Sequence, residues 1–224
     1  MLILFDIDGT MLSSEGVGVR SIEETCSSMF GKPCSLDGIQ IGGRLDPLIW
    51  NDVCHKYSIN NSVALHGKFQ SMYTDVLKKN IKDVVVKVFP GINSLIETFD
   101  SMEEVTLGIV TGNYEETGRL KLEAAGIDAS VFVANAWGTD GQVRHDLPPI
   151  AIKQRGGGEP VVLIGDTVHD VTSGLAAGCR VIAVCTGTHD SDTLAASEPN
   201  LLLEDLSDTE QVLQWIFNTQ TQSS

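Results

Sequence analysis

Six short apolar runs punctuate the chain: LILFD from residue 2, VTLGIVTG from 105, SVFVAN from 130, PVVLIGD from 160, RVIAVCTG from 180 and NLLLED from 200. Each is hydrophobic almost throughout instead of alternating, as expected of strands covered on both faces, and a parallel sheet wrapped by helices is the usual way to cover both. Helical stretches lie between them. EETGRLKLEAAGI sets Leu120 and Ala124 four apart and Leu122 and Ala125 three apart, with Gly126 as a C-cap, and TSGLAAG reads as a short helix closed by Gly178. The pattern predicts an α/β fold with a doubly wound, Rossmann-like parallel-sheet core. Residues 14–86 break the alternation. There Val19, Ile22, Cys26 and Met29 share one helical face and Leu65, Phe69, Met72 and Val76 another. This predicts a helical cap inserted after the first strand, with residues 1–13 and 87–224 forming the core and Pro90-Gly91 turning the chain back into it. The polar tail NTQTQSS is expected to fray.

With 224 residues and 42% hydrophobic content the chain can bury a substantial core. Its formal charge of −15 would repel a nucleic-acid backbone or an anionic membrane over most of the surface, so neither is an expected partner. An anionic small molecule would need a local positive site. No apolar run approaches the ~20 residues of a membrane span, and the first is too short and lacks the basic start of a signal peptide, so a cytoplasmic setting is expected. Five cysteines, odd in number and without CxxC spacing, argue against a disulfide framework or a structural zinc site. Oligomeric state is not legible.

Ligands of open α/β sheets bind beyond the carboxyl ends of the strands, and three of these ends are polar. The first carries Asp6 and Asp8, the second Thr111, Gly112 and Asn113, and another Asp166, Thr167 and Asp170. Two residues apart in extended chain, Asp6 and Asp8 would project to one side. Gathering four carboxylates without a cation would cost about 4 kcal/mol per close pair at an effective dielectric near 20. All-oxygen ligands suit Mg²⁺, which binds through one or two carboxylates plus a substrate phosphate. Taken singly, Asp beside Gly and Thr is most often a turn or cap residue. Three such sites in order at strand ends favour a metal and chemistry on what it holds.

Asp6-Ile7-Asp8-Gly9-Thr10, Thr111-Gly112-Asn113 and Gly165-Asp166-Thr167-Val168-His169-Asp170 resemble motifs I, II and IV of the haloacid dehalogenase superfamily, and the insert resembles the helical cap of its phosphoglycolate phosphatase-like branch. The resemblance implies a Mg²⁺-dependent phosphatase acting on a small phosphorylated metabolite. Asp6 would be the nucleophile, and Asp8 the general acid that protonates the leaving oxygen and later deprotonates water. Asp166 would bind the metal with Asp6 and the backbone carbonyl of Asp8, Asp170 would support the metal shell, and Thr111 with Gly112 and Asn113 would receive the phosphoryl oxygens. Where the family usually has a lysine, Arg144 is the aligned cation, with His145 adjacent and Lys153 further on; a guanidinium keeps the charge with a different geometry. Arg44, after Gly42-Gly43, is the cap residue expected to reach a remote anionic group of the substrate. His145 and His169 are not needed by this chemistry. A phosphomutase using the same intermediate, or a silent regulatory protein of the same fold, are the alternatives.

Overall fold

The computed structural model describes residues 1–158 and 160–218; the part of the expected frayed tail beyond Asn218 lies outside the described residues. In chain order the regular elements are β1 (Leu2–Phe5), β2 (Leu12–Ser13), α1 (Val17–Phe30), α2 (Asp46–Tyr57), α3 (Val63–Asn80), β3 (Lys87–Val88), α4 (Ile92–Asp100), β4 (Thr106–Val110) and α5 (Glu115–Ala124). There follow β5 (Phe132–Ala136), α6 (Leu147–Gln154), β6 (Val161–Gly165), α7 (Val168–Ala176), β7 (Arg180–Val184), α8 (Ser191–Ala195), β8 (Leu201–Leu203) and α9 (Thr209–Asn218). All six apolar runs are strands of one parallel sheet in the order β5-β4-β1-β6-β7-β8. This is the α/β Rossmann-like architecture expected from the pattern.

The central strand shows why the runs are continuous. Ile3 and Phe5 pack with Ile92 and Phe99 of α4 and Ile216 of α9, whereas Leu2 and Leu4 pack with Leu147 of α6 and Val171 of α7. Both faces are therefore dry, and each fully buried Leu, Ile or Phe contributes about 1.5–3 kcal/mol. β1 lies between the strands that follow it on one side, β4 and β5, and those on the other, β6 to β8. The carboxyl end of β1 is thus where the strand order reverses and a crevice opens.

β2 and β3 pair antiparallel as a two-stranded ribbon, and the chain makes its helical excursion between them. α1, α2 and α3 share a second core in which Ile22 and Cys26 meet Trp50, Phe69, Tyr73 and Leu77, with the Trp50 and Phe69 rings stacked 4.2 Å apart. The buried stripe of α3 is Phe69, Tyr73 and Leu77 with Leu65 packed beside it, so Phe69 and Leu65 face the core as expected while Tyr73 and Leu77 take the places expected of Met72 and Val76. Tyr73 brings more apolar surface than Met72 and packs on Phe69 and on Tyr114 from the sheet side, which sets the helix phase. The return turn is as expected: Gly91 has φ +85°, and a Cβ there would run into the carbonyl of Leu206. No helix is long and apolar enough to cross a membrane among the described residues. All five cysteines are free.

Candidate active site

Asp6 prolongs the β1 ladder by one bond, its N–H donating to the Ile164 carbonyl at 3.0 Å, and then the chain turns sharply. Thr10 N, Met11 N and Leu12 N all donate to the carbonyl of Ile7, and Gly9 takes φ +82°. The turn separates the two carboxylates that extended geometry would have put together. Asp6 stays inside, with Asp166 from the end of β6 and Asp170 from the first turn of α7; one oxygen of each lies within 4.8 Å of the others. The carboxylate of Asp8 is not in this group; its Oδ2 is taken by Lys121 and Asn113. The shared focus expected of Asp6 and Asp8 is therefore not formed by their carboxylates within this cluster.

The buried trio fits a hard cation. Burial drives the carboxyl of Asp6 up to about 6 against the pull of Arg144, with Asp170 adding repulsion, and burial together with Asp170 and Asp6 drives Asp166 well above the ordinary carboxylate range. Asp6 Oδ1 is buried with no hydrogen bond. Asp166 accepts from the Thr10 hydroxyl at 3.0 Å and from the backbone of Thr188, and Gly9 and Gly187 lie so close that a Cβ on either would collide with its carboxylate. A cation would relieve the repulsion and satisfy the orphaned oxygen.

Arg144 reaches this cluster from the turn before α6, where it is 5% exposed. Its Nη2 bonds the carboxylate of Asp170, donates to the Val110 carbonyl at 3.0 Å and stands 3.3 Å from Asp6 Oδ1, near enough to pair with it without making a hydrogen bond. Burial works against its charge, but Asp170 and Asp6 outweigh that and hold its pKa above the ordinary value. Asp170 is fully committed: one oxygen takes Arg144, and the other takes the backbone N–H and hydroxyl of Thr167 in a capping box that starts α7. Asp170 therefore anchors the arginine and the helix, and its oxygens already have partners. His145 is exposed, and half-buried His169 lies against Gly43.

Thr111 hydrogen-bonds Asp6 and accepts from Asn113 Nδ2 at 2.9 Å. The same amide nitrogen donates to Asp8 Oδ2 at 2.9 Å, and Asn113 Oδ1 accepts from Lys121 Nζ at 2.7 Å. Lys121 Nζ also meets Asp8 Oδ2 at 2.5 Å. Asn113 is thus a clamp between Thr111, Asp8 and Lys121. Gly112 is where the cap loop crosses: a Cβ there would strike the Arg44 carbonyl, and Asp46 N donates to the Gly112 carbonyl at 2.7 Å. Asp46, fully buried and raised to about 6 mainly by burial, accepts in return from Tyr114 N at 3.0 Å.

Arg44 lines a cavity of about 410 Å³ that also holds Asp6, Asp8, Lys121 and Arg144. Its Nη2 pairs with Asp52 at 2.5 Å, while its buried Nε has no hydrogen bond. The outer wall is apolar, from Val19 and Ile22 of α1 with Ile49 of α2. Of the expected residues, Asp6, Asp8, Arg44, Thr111, Gly112, Asn113, Arg144 and Asp166 line this one cavity, and Asp170 is fully buried beside it on Arg144. Sequence reasoning missed Lys121 and Asp46. The signal for Lys121 was its position, since Gly118, Lys121 and Leu122 fall on the buried face of α5 where a lysine is unexpected.

The pattern described as Haloacid dehalogenase-like hydrolase matches residues 3–184. The chain is 28% identical over 214 residues to Pyrophosphatase PpaX of Oceanobacillus iheyensis, covering 92% of this chain and 93% of that one. It is 24% identical to the Probable phosphatase IndB of Dickeya dadantii, with 92% and 90% covered. A hydrolase from Pseudomonas syringae superposes with a TM-score of 0.73 at 19% identity, covering 96% and 98% of the two chains. A protein from Haemophilus somnus described as a predicted phosphoglycolate phosphatase gives 0.71 at 20%, with 95% and 97% covered. These two structures carry the likeness in fold.

Proposed function

We infer from two facts, that the chain belongs to the haloacid dehalogenase-like hydrolase family and that its neighbouring carboxylates Asp6 and Asp8 have separate partners, Asp6 with Asp166, Asp170 and Arg144 and Asp8 with Lys121 and Asn113, that it is a Mg²⁺-dependent phosphatase of a small phosphorylated metabolite. The split between the carboxylates is the observation that carries the reading. A nucleophile belongs where phosphoryl charge is received, and a proton carrier belongs beside the leaving oxygen.

Asp6 attacks phosphorus as the bond to the leaving oxygen breaks, and the proton of Asp8 goes to that oxygen. Asp8 then takes a proton from water, whose oxygen attacks the aspartyl-phosphate; the bond to Asp6 breaks and inorganic phosphate leaves. Arg144 and Thr111 hold the phosphoryl oxygens and the attacking carboxylate in line. Asp6, Asp166 and the backbone carbonyl of Asp8 would hold Mg²⁺, with Asp170 keeping Arg144 in place; when bound, the ion supplies positive charge against the phosphoryl oxygens. Residues 14–86 act as a cap hinged at the ribbon of β2 and β3, closing the cavity against water. The names of the relatives put inorganic pyrophosphate beside 2-phosphoglycolate and sugar phosphates as substrates to try, and a cytoplasmic setting suits such molecules. Phosphate release from that panel tests the reading. Metal-dependent turnover of at least one member supports it, and an inert, folded protein on all of them contradicts it.

Arg44 is the proposed contact for the part of the substrate that does not react. A charge-assisted bond to a remote anion is worth about 1.5–3 kcal/mol, so Arg44→Ala should lower kcat/KM for the best substrate by roughly ten- to a hundredfold. On p-nitrophenyl phosphate, which lacks such an anion, the loss should be small. Equal losses on both would make Arg44 a support of the cap, held by Asp52.

A further inference from the structure

We propose that Lys121, which no reading of the motifs assigns, is a positioning residue that fixes which oxygen of Asp8 delivers the proton; this rests on the phosphatase reading above. Lys121, in the last turn of α5, is only 5% exposed, and burying an ammonium is costly unless its partners compensate. Its two observed bonds are to Asp8 Oδ2 and Asn113 Oδ1, and Asn113 closes the triangle by donating to the same Asp8 oxygen. Both bonds to the Asp8 carboxylate therefore fall on Oδ2. Among the described residues Oδ1 has no partner, and the Asp8 side chain is 41% exposed, toward the cavity.

The consequence is geometric. A carboxylate held at one oxygen by two donors cannot rotate, so the other oxygen keeps a fixed aim. The Asp8 carboxylate stands outside the acidic trio but lines the same cavity as Asp6, where it can meet the leaving oxygen while Asp6 takes the phosphorus. As the Asp6–phosphorus bond forms and the phosphorus–alkoxide bond breaks, the Asp8 proton passes from Oδ1 to the alkoxide oxygen; Lys121 touches neither substrate nor phosphorus. Gly18 of α1 supports this placement, since a Cβ there would lie 3.3 Å from the Tyr73 hydroxyl and 3.5 Å from Lys121 Nζ. The lysine is packed from the cap side as well as the sheet side. A plain counter-ion for buried Asp46 would also explain the burial of Lys121, but not its two-point grip on Asp8.

The two explanations separate on leaving-group chemistry. Nitrophenolate leaves without a proton, whereas a benzyl alkoxide does not, and kcat/KM reports the first, leaving-group step. In Lys121→Met, kcat/KM for benzyl phosphate should fall at least about tenfold further than for p-nitrophenyl phosphate, on the scale of part of a general-acid contribution. Lys121→Arg should restore much of that difference. The comparison is a ratio within one sample, so a partly unfolded preparation leaves it unchanged, and Lys121→Gln gives the same reading if the Met variant does not fold. Equal losses on both substrates, or none, overturn the proposal while leaving the phosphatase reading intact. A folded wild-type protein inert toward both esters and toward every member of the phosphate panel overturns the phosphatase reading and this proposal with it.

Discussion

Asp6→Asn should reduce turnover to background, a loss on the order of 10⁶-fold, because an amide cannot accept a phosphoryl group as the carboxylate does and the second step has nothing to hydrolyse. The fold should survive. The carboxyl of Asp6 titrates near 6 in the folded protein, above its ordinary value of 3.8, chiefly through burial. A raised acid pKa favours folding below the unfolded value, and that contribution is lost as pH rises through the folded one. At pH 7 without metal the charged form is therefore a net cost, which the amide removes. The variant should melt no lower than the wild type under those conditions. Full activity in the variant, or a protein that no longer folds, would contradict the placement of Asp6 at the centre of the chemistry.

The second large effect concerns the metal. EDTA should abolish turnover and added Mg²⁺ restore it, because Asp6, Asp166 and Asp170 crowd three carboxylates around the single guanidinium of Arg144, leaving negative charge for a metal to balance. Calcium should inhibit, since it favours a looser and higher coordination. Binding linked to folding should also be visible without any substrate. At a hundredfold excess over its Kd an ion that binds only the native state adds about 2.7 kcal/mol, and for a chain of this size that is roughly 5–10 °C in Tm. Asp166→Ala should remove most of the Mg²⁺-dependent rise in Tm and raise the Mg²⁺ concentration needed for turnover. A melting curve indifferent to Mg²⁺, together with activity in EDTA, would exclude the metal.

The sheet and the acidic trio were legible because their signals are local. Six runs without polar alternation imply strands covered on both faces, and Asp6, Asp166 and Thr111 each follow directly on one of them. Arg144 was legible through its place before α6, and its burial against Asp6 and Asp170 fits the cation expected there. The direction of the Asp8 carboxylate was not legible. It depends on a turn closed by three bonds to one carbonyl, and on a lysine 113 positions along the chain. Lys121 was hidden for the same reason, since helical spacing marks its position as inward but cannot name the partner that makes an inward charge tolerable. The second half of the α3 stripe was missed because Tyr73 packs across to Tyr114, outside the insert. For Asn113 and Gly112 the strand-end position was legible, but not that one clamps Asp8 and the other admits the backbone of the cap loop.

A phosphoenzyme on Asp6 is the most direct consequence of this chemistry. Rapid acid quench of the wild-type protein with a phosphate-labelled substrate in Mg²⁺, followed by peptide mapping, should recover label as an acyl phosphate on the peptide that contains Asp6, lost on treatment with hydroxylamine and absent in Asp6→Asn. Product formation in the first turnover with no label on that peptide, or label on another residue, would contradict it.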